Sequence, residues 1–239
     1  MMPAEYHFSG GGSVSNVTLL DIRFTGGYNP AMEQVVLASA SPRRREILRQ
    51  MGVPFIICPA DIDETFPEKC SDFLPVCVSL AKKKIEAVLG RGKVAGCRWY
   101  LGADTVVVKG RRVYGKPRDR DEARRMLADL AGGRHRVVTG VALFDRRRGR
   151  FDEAGDAAEV VFAPMSEAEI EWYLDTGEWQ GAAGGYRIQE KAACFIESIR
   201  GSFSTVMGLP IRPIYGILRR NDFPIGETKS SVGPGPDEN

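Results

Sequence analysis

The stretch Val35 to Leu48, VVLASASPRRREIL, narrows the folding options of this chain most. Val35, Val36 and Leu37 read as a short buried strand, Ala38 to Ser41 as a small-residue turn, and Pro42 onward as a helix that turns Ile47 and Leu48 inward. Ser41 is a natural N-cap, and Pro42 suits the first helical position, where no backbone N–H has to be donated. Arg43, Arg44 and Arg45 then fall in the first helical turn, where the helix dipole is positive and acidic residues are the norm. One reading is a phosphate cradle, in which backbone N–H groups, serine hydroxyls and guanidinium groups converge after a strand. The other is a solvated basic turn with Glu46 as its local partner. The stretch alone leaves both open.

Charge and composition exclude several classes. With 33 basic against 31 acidic residues in 239, the net charge is +2, so nothing in the overall balance calls for nucleic acid, and any attraction for anions must be local. The five cysteines, Cys58, Cys70, Cys77, Cys97 and Cys194, show no CxxC or Cys/His metal spacing and read as free thiols of a reducing compartment. No apolar run approaches the roughly 20 residues of a membrane span, and no signal-like segment opens the chain. A cytoplasmic protein with no membrane partner is expected. Residues 1–33, rich in glycine and turn signals, read as a poorly structured extension with Met32 as a candidate start. Residues 34–220 read as one domain, and 221–239 as a disordered tail.

Within the domain, Phe55 to Cys58 reads as a second strand, followed by Ala60 to Thr65, where Asp61, Asp63 and Glu64 form either a polar loop or a set of oxygen ligands for a hard cation. Leu74 to Leu89 has helical period, and Lys84 falls inside its apolar arc while Lys83 points away and Lys82 lies at the margin. An ammonium there must either snorkel to water or find a buried anion, and the geometry favours a site-facing Lys84. Trp99 to Val108 reads as a strand paired in a hairpin with Arg112 to Tyr114. Asp104 is anomalous among its valines, and Gly102 before it permits close approach of a ligand or another backbone. By strict alternation Asp104 and Thr105 face opposite ways, so a shared site would require the strand to bulge or end there.

Asp119 and Ser166 open two further helices, and strands are expected at Arg136 to Phe144 and Ala157 to Phe162, joined by a solvated basic tip at Arg146 to Arg150. Trp179 to Lys191 is a glycine-rich loop of the length that usually carries function, with Gln189 able to read a base through its amide. A last hairpin, Cys194 to Ile199 with Phe203 to Val206, and a last helix, Leu209 to Leu218, complete the expectation.

Taken together, LASASPRRREIL (37–48), DIDE (61–64), LAKKKIEAV (80–88), GADTVV (102–107), GKPRDRDEARRMLADLAGGRHRVVTGVAL (115–143) and the stretch from Ala183 to GLPI (208–211) resemble the Maf family of nucleoside triphosphate pyrophosphatases, in the family's order. The resemblance implies an α/β fold of three layers, with a long mixed twisted sheet and a cleft between two lobes, like the inosine triphosphate pyrophosphatases. It also implies hydrolysis of a nucleoside triphosphate to the monophosphate and pyrophosphate with Mg²⁺ or Mn²⁺. Tyr186, Ile188 and Gln189 resemble the dTTP/UTP type.

By the same resemblance Asp104 matches the proton acceptor, Arg43, Thr105 and Gln189 match positions linked to pyrimidine choice, and Glu64 and Lys84 match further active-site positions. Ser39, Arg44 and Lys116 are additional candidates for polyphosphate contacts, and Asp104 with Glu64 for the metal. The chain departs from the family pattern at Ala182, where a lysine is usual, and at Gly185, Arg187 and Glu190. A non-catalytic, nucleotide-sensing regulator of division is the alternative, and a homodimer is left open.

Overall fold

The computed structural model describes residues 34–66, 70–92, 94 and 96–226. The expectations for residues 1–33 and for most of the tail fall outside them.

Strand β1 (Val35–Leu37) is buried on both faces and leads through the small-residue turn into α1 (Pro42–Gln50). β2 (Phe55–Ile57) returns parallel to β1, and β1 also pairs in parallel with β3 (Trp99–Lys109). The remaining pairings are antiparallel: β3 with β4 (Arg112–Tyr114), β3 with β5 (Arg134–Asp145), β5 with β6 (Arg150–Phe162), and β6 with β7 (Ile196–Arg200). The result is one mixed seven-stranded sheet in the order β2-β1-β3-β5-β6-β7, with β4 on the β1 side of β3. A mixed α/β fold with helices on both faces of the sheet is what the family resemblance implied.

The two faces differ. α2 (Phe73–Gly90) covers one face alone, packing Ala81, Ile85 and Val88 on Val36, Tyr100 and Ala142, and Cys77 on Val106 and Val138. The other face carries α1, α3 (Arg120–Leu130), α4 (Glu167–Asp175) and α6 (Ile211–Arg220), whose Ile47, Leu127, Leu174 and Ile217 share the main core with Leu37, Leu101, Val141 and Phe162. The even-numbered residues of β3 therefore face α2 and the odd-numbered ones the larger core.

Glycines let α2 lie close to the sheet. A Cβ on Gly102 would sit 2.2 Å from the Ala81 carbonyl oxygen, and one on Gly140 2.3 Å from the Val78 amide nitrogen. The backbone that Gly102 admits is thus that of α2, and the contact brings the α2 residue Lys84 down to the strand edge.

Two expectations are corrected. Phe203–Met207 is a short helix, α5, closed by Gly208 at φ 101°, so there is no last hairpin; β7 pairs with β6 instead. Ser202 and Ser204 exchange a hydrogen bond and Ser204 accepts from the Ile211 amide, so local polar contacts override the strand-like composition of the segment. The domain also runs past residue 220. Asn221 is fully buried and receives the Trp99 indole N–H at its carbonyl, Phe223 packs edge-on against Trp99, and Asp222 bonds Arg98 and Arg148. Arg148 in the basic tip is therefore tied to this segment.

Gly102→Ala should cost about 3 kcal/mol, at the upper end for an overpacked core position, because the clashing atom is helix backbone. A lowered urea midpoint with unchanged slope would report it, and a wild-type midpoint would show that α2 can shift freely.

Candidate active site

The site forms where the sheet edge is incomplete. β1 pairs with β3 only as far as Leu101, where the Leu101 carbonyl accepts from the Ala38 amide, and β4 pairs with it from Val107 onward. Between them, among the described residues, no strand covers that edge of residues 102–106. The β3–β5 register runs unbroken through the gap, so β3 neither bulges nor ends. Asp104 and Thr105 nevertheless line the same cleft, because their side chains leave opposite faces of one exposed edge. Strict alternation is kept, and the missing neighbour does what a bulge was expected to do.

On the α2 side, Lys84 is 4% exposed and Asp104 3%. The Lys84 ammonium donates to Asp104 Oδ1 at 2.5 Å, to the Ala103 carbonyl at 3.3 Å, and pairs with Glu64 Oε1 at 2.8 Å. Lys116 binds the other Glu64 oxygen at 2.6 Å. Burial alone would raise the Glu64 carboxyl, but the Lys84 charge and the two lysine hydrogen bonds outweigh it and hold the group down to about 2. Asp61 and Asp63 are exposed, so of the acidic loop only Glu64 turns inward. Asp104 Oδ2 is buried and has no hydrogen-bond partner among the described residues.

On the opposite side, Arg44 is 8% exposed and, among the described residues, bonds only neutral acceptors: Nε to the Gly208 carbonyl at 2.8 Å, one terminal nitrogen to Ser39 Oγ at 3.0 Å, the other to Thr105 Oγ1 at 3.1 Å. Burial lowers its pKa, with Asp104 and Glu64 acting in the other direction. Arg43 reaches the Gly181 carbonyl at 3.3 Å and is lowered to about 10 by burial and by the like charges of Arg44 and Arg187. Glu46 turns instead to Arg49 and Gln50, which removes the solvated-turn reading for Arg43 and Arg44. Ser41 stands at the N-cap without a capping bond; its amide donates to Ser39 Oγ. Among the described residues no carboxylate bonds Arg43 or Arg44, and their crowded charge is complementary to an anion from outside.

The glycine-rich loop closes the far wall. Gly184 and Gly185 take φ of 72° and 73°, and Gly184 packs directly over Val107. Tyr186 is buried and bonds His135 Nε2 at 2.8 Å; burial raises the tyrosine and lowers His135 to about 4. Gln189 lines the cleft, its buried Oε1 without a hydrogen-bond partner among the described residues. Arg187 bonds the Gln180 carbonyl, and its amide donates to Tyr173 Oη. Ala182, where the resemblance led us to look for a lysine, is a buried methyl.

All nine candidate residues, Ser39, Arg43, Arg44, Glu64, Lys84, Asp104, Thr105, Lys116 and Gln189, line this one cleft of about 330 Å³. The sequence reading missed Gly208, whose carbonyl holds Arg44, and Thr139, buried behind Thr105. The hydroxyl of Thr139 amid the valines of β5 was the available signal for the latter.

A mixed α/β sheet with excess guanidinium charge and two lysine-linked carboxylates meeting at a gap in its edge defines a protein shaped for a polyanionic ligand. The chain belongs to the Maf family: residues 34–221 match it under the description Maf-like protein. It is 46% identical over 198 residues to the dTTP/UTP pyrophosphatase of Anaeromyxobacter dehalogenans (strain 2CP-1), covering 80% of this chain and 96% of that protein. The proteins of the same name from Pelotomaculum thermopropionicum and Ruegeria sp. (strain TM1040) are 43% and 42% identical, covering 79% and 82% of this chain and 97% and 98% of theirs. No helix among the described residues is long and apolar enough to cross a membrane.

Because Glu64 ionises more readily in the folded chain, its ionisation supports the fold fully above the ordinary value of 4.5, and that support is lost as pH falls toward 2. In Lys84→Met the carboxyl should titrate closer to the ordinary value, which carbon-detected NMR of the Glu64 side chain would follow. An unmoved titration would mean that Lys116 alone sets it.

Proposed function

We propose that this chain hydrolyses nucleoside triphosphates, dTTP and UTP foremost, to the monophosphate and pyrophosphate. The observation that carries the reading is the Asp104 carboxylate: one oxygen is held by Lys84 while the other is buried at the gap beside the guanidinium groups, with no hydrogen-bond partner among the described residues. A protein that only held anions would have no use for buried carboxylates next to their phosphates.

In the reaction, a water oxygen bonds to the α-phosphorus as the bond from that phosphorus to the α–β bridging oxygen breaks. Asp104 Oδ2 accepts the proton of that water. Lys84, fixed between Asp104 and Glu64, keeps the carboxylate oriented and balances its charge. Arg43, Arg44 and Lys116 face the polyphosphate, where their charge offsets what gathers on the departing pyrophosphate. The Ser39 hydroxyl, which already accepts from Arg44 and the Ser41 amide, keeps its own hydrogen for a phosphate oxygen.

Three of the four oxygens of Asp104 and Glu64 are bonded to Lys84 or Lys116, and Asp104 Oδ2, buried and without a partner among the described residues, is the donor that a divalent cation would meet first. No group of three or more His, Cys, Asp or Glu side chains able to hold a metal occurs among the described residues, but two carboxylates completed by substrate phosphates and water suit Mg²⁺ or Mn²⁺. Asp104 and Glu64 would hold it, and when bound it supplies Lewis-acid polarisation of the phosphoryl oxygens.

For the base, an unpartnered Gln189 Oε1 is the acceptor that the N3–H of uracil or thymine requires, and the names of the relatives agree with that choice. Arg187 and Arg43 brace the loop that carries it through the Gln180 and Gly181 carbonyls.

Asp104→Asn should lower pyrophosphate release from UTP with Mg²⁺ by at least about a hundredfold while the circular dichroism spectrum is kept. Turnover near that of the parent would remove Asp104 from its role. Gln189→Ala should change the ratio of UTP to GTP hydrolysis by about tenfold, the scale of one hydrogen bond to a base; a constant ratio would show that Gln189 does not read it.

A further inference from the structure

Behind the cleft lies a chain of buried hydroxyls that the proposed reaction does not use directly. Arg44 donates to Thr105 Oγ1, which lies 3.0 Å from Thr139 Oγ1, its cross-strand partner in the β3–β5 register. Thr139 Oγ1 is 2.9 Å from the Thr205 carbonyl in α5, and the Thr205 hydroxyl donates to Asp156 Oδ2 on β6 at 2.6 Å. Thr139 and Thr205 are fully buried.

Proton counting gives this chain one direction. A carbonyl oxygen only accepts, so the single hydrogen of Thr139 goes to Thr205. Thr105 must then donate to Thr139, and its oxygen is left to accept from Arg44. The Thr105 hydrogen is therefore committed inward and is not offered to a substrate. The same short helix holds Arg44 a second time, because the Gly208 carbonyl at its C-terminal end takes the guanidinium Nε. Gly208 stands at φ 101°, and a Cβ there would lie 3.1 Å from Thr105 Oγ1.

We infer that Thr105, Thr139, Thr205 and Asp156 are positioning residues that act through Arg44, and that α5 is the splint to which this guanidinium is tied at two points. The physical need is plain. Among the described residues Arg44 is buried without a bonded carboxylate, so neutral hydrogen bonds decide which way its two remaining N–H groups point, and each bond to a charged group matters more than one between neutral groups. The Asp156 carboxylate, half-buried at the outer end, anchors Thr205 and so sets where its carbonyl lies. The influence of Thr105 on the substrate then passes through phosphate binding, whichever base is attached. The inference rests on the pyrophosphatase reading only for what the phosphates are attached to.

Affinity for the non-hydrolysable α,β-methylene-UTP, measured by calorimetry with Mg²⁺ on the full chain, separates the two claims. Thr139→Val, which keeps the shape and removes the hydroxyl, should weaken binding about tenfold, and Thr139→Ser should restore it to within about twofold. In an Arg44→Ala background Thr139→Val should have no further effect. Asp156→Ala should give a smaller loss that vanishes in the same background, and serves as the second arm if Thr139→Val does not fold. An undiminished loss in the Arg44→Ala background, no rescue by serine, or parental affinity in both variants would overturn the inference. Absence of UTP hydrolysis by the parent chain, with these affinities as stated, would overturn the enzymatic reading and leave the splint standing.

Discussion

One buried ammonium holds the site together. Lys84 sits under the sheet between Asp104 and Glu64, and each of these charges would be costly where it is without the others. The arrangement exists because α2 can lie against β3 and β5 at backbone contact, which Gly102 and Gly140 permit. Packing on one face of the sheet thus determines the electrostatics of the cleft.

The opposite wall follows another logic. Arg44 is held by neutral oxygens from the turn after β1, from β3 and from the end of α5, with no carboxylate among the described residues bonded to it. Carboxylates bound to Lys84 face neutral-bonded guanidinium groups across the gap, so in the proposed reaction the group assigned to water and the groups assigned to phosphate lie on separate walls of the cleft. That division is what hydrolysis at a phosphoanhydride asks of a protein, since positioning and charge do most of the catalytic work. The close family relatives and the cleft geometry point the same way for independent reasons.

Several elements were legible before any coordinates. The β1-turn-α1 unit, the inward face of α2 with Lys84 on it, and the β3–β4 hairpin all follow from periodicity and from the cost of burying an unpaired charge. The segment Phe203–Met207 was misread because its apolar residues suit a strand as well as one turn and a half of helix, and the serines that decide the matter act through local hydrogen bonds. Residues 221–226 look like tail by composition, yet Trp99 offers Phe223 a surface and Asn221 an indole donor. Partners from a distant strand cannot be read from a short polar segment.

From the sequence alone came the family, through its ordered motif blocks, the α/β class that this resemblance implied, and the identity of the charged groups that had to find partners, which follows from local pattern and the cost of burying charge. Tertiary structure alone decided that Asp104 and Thr105 serve one cleft, and that Arg44 hangs from α5. The reason is that both depend on which strand ends where along the edge of β3, and sheet edges are made by pairing between segments far apart in the chain.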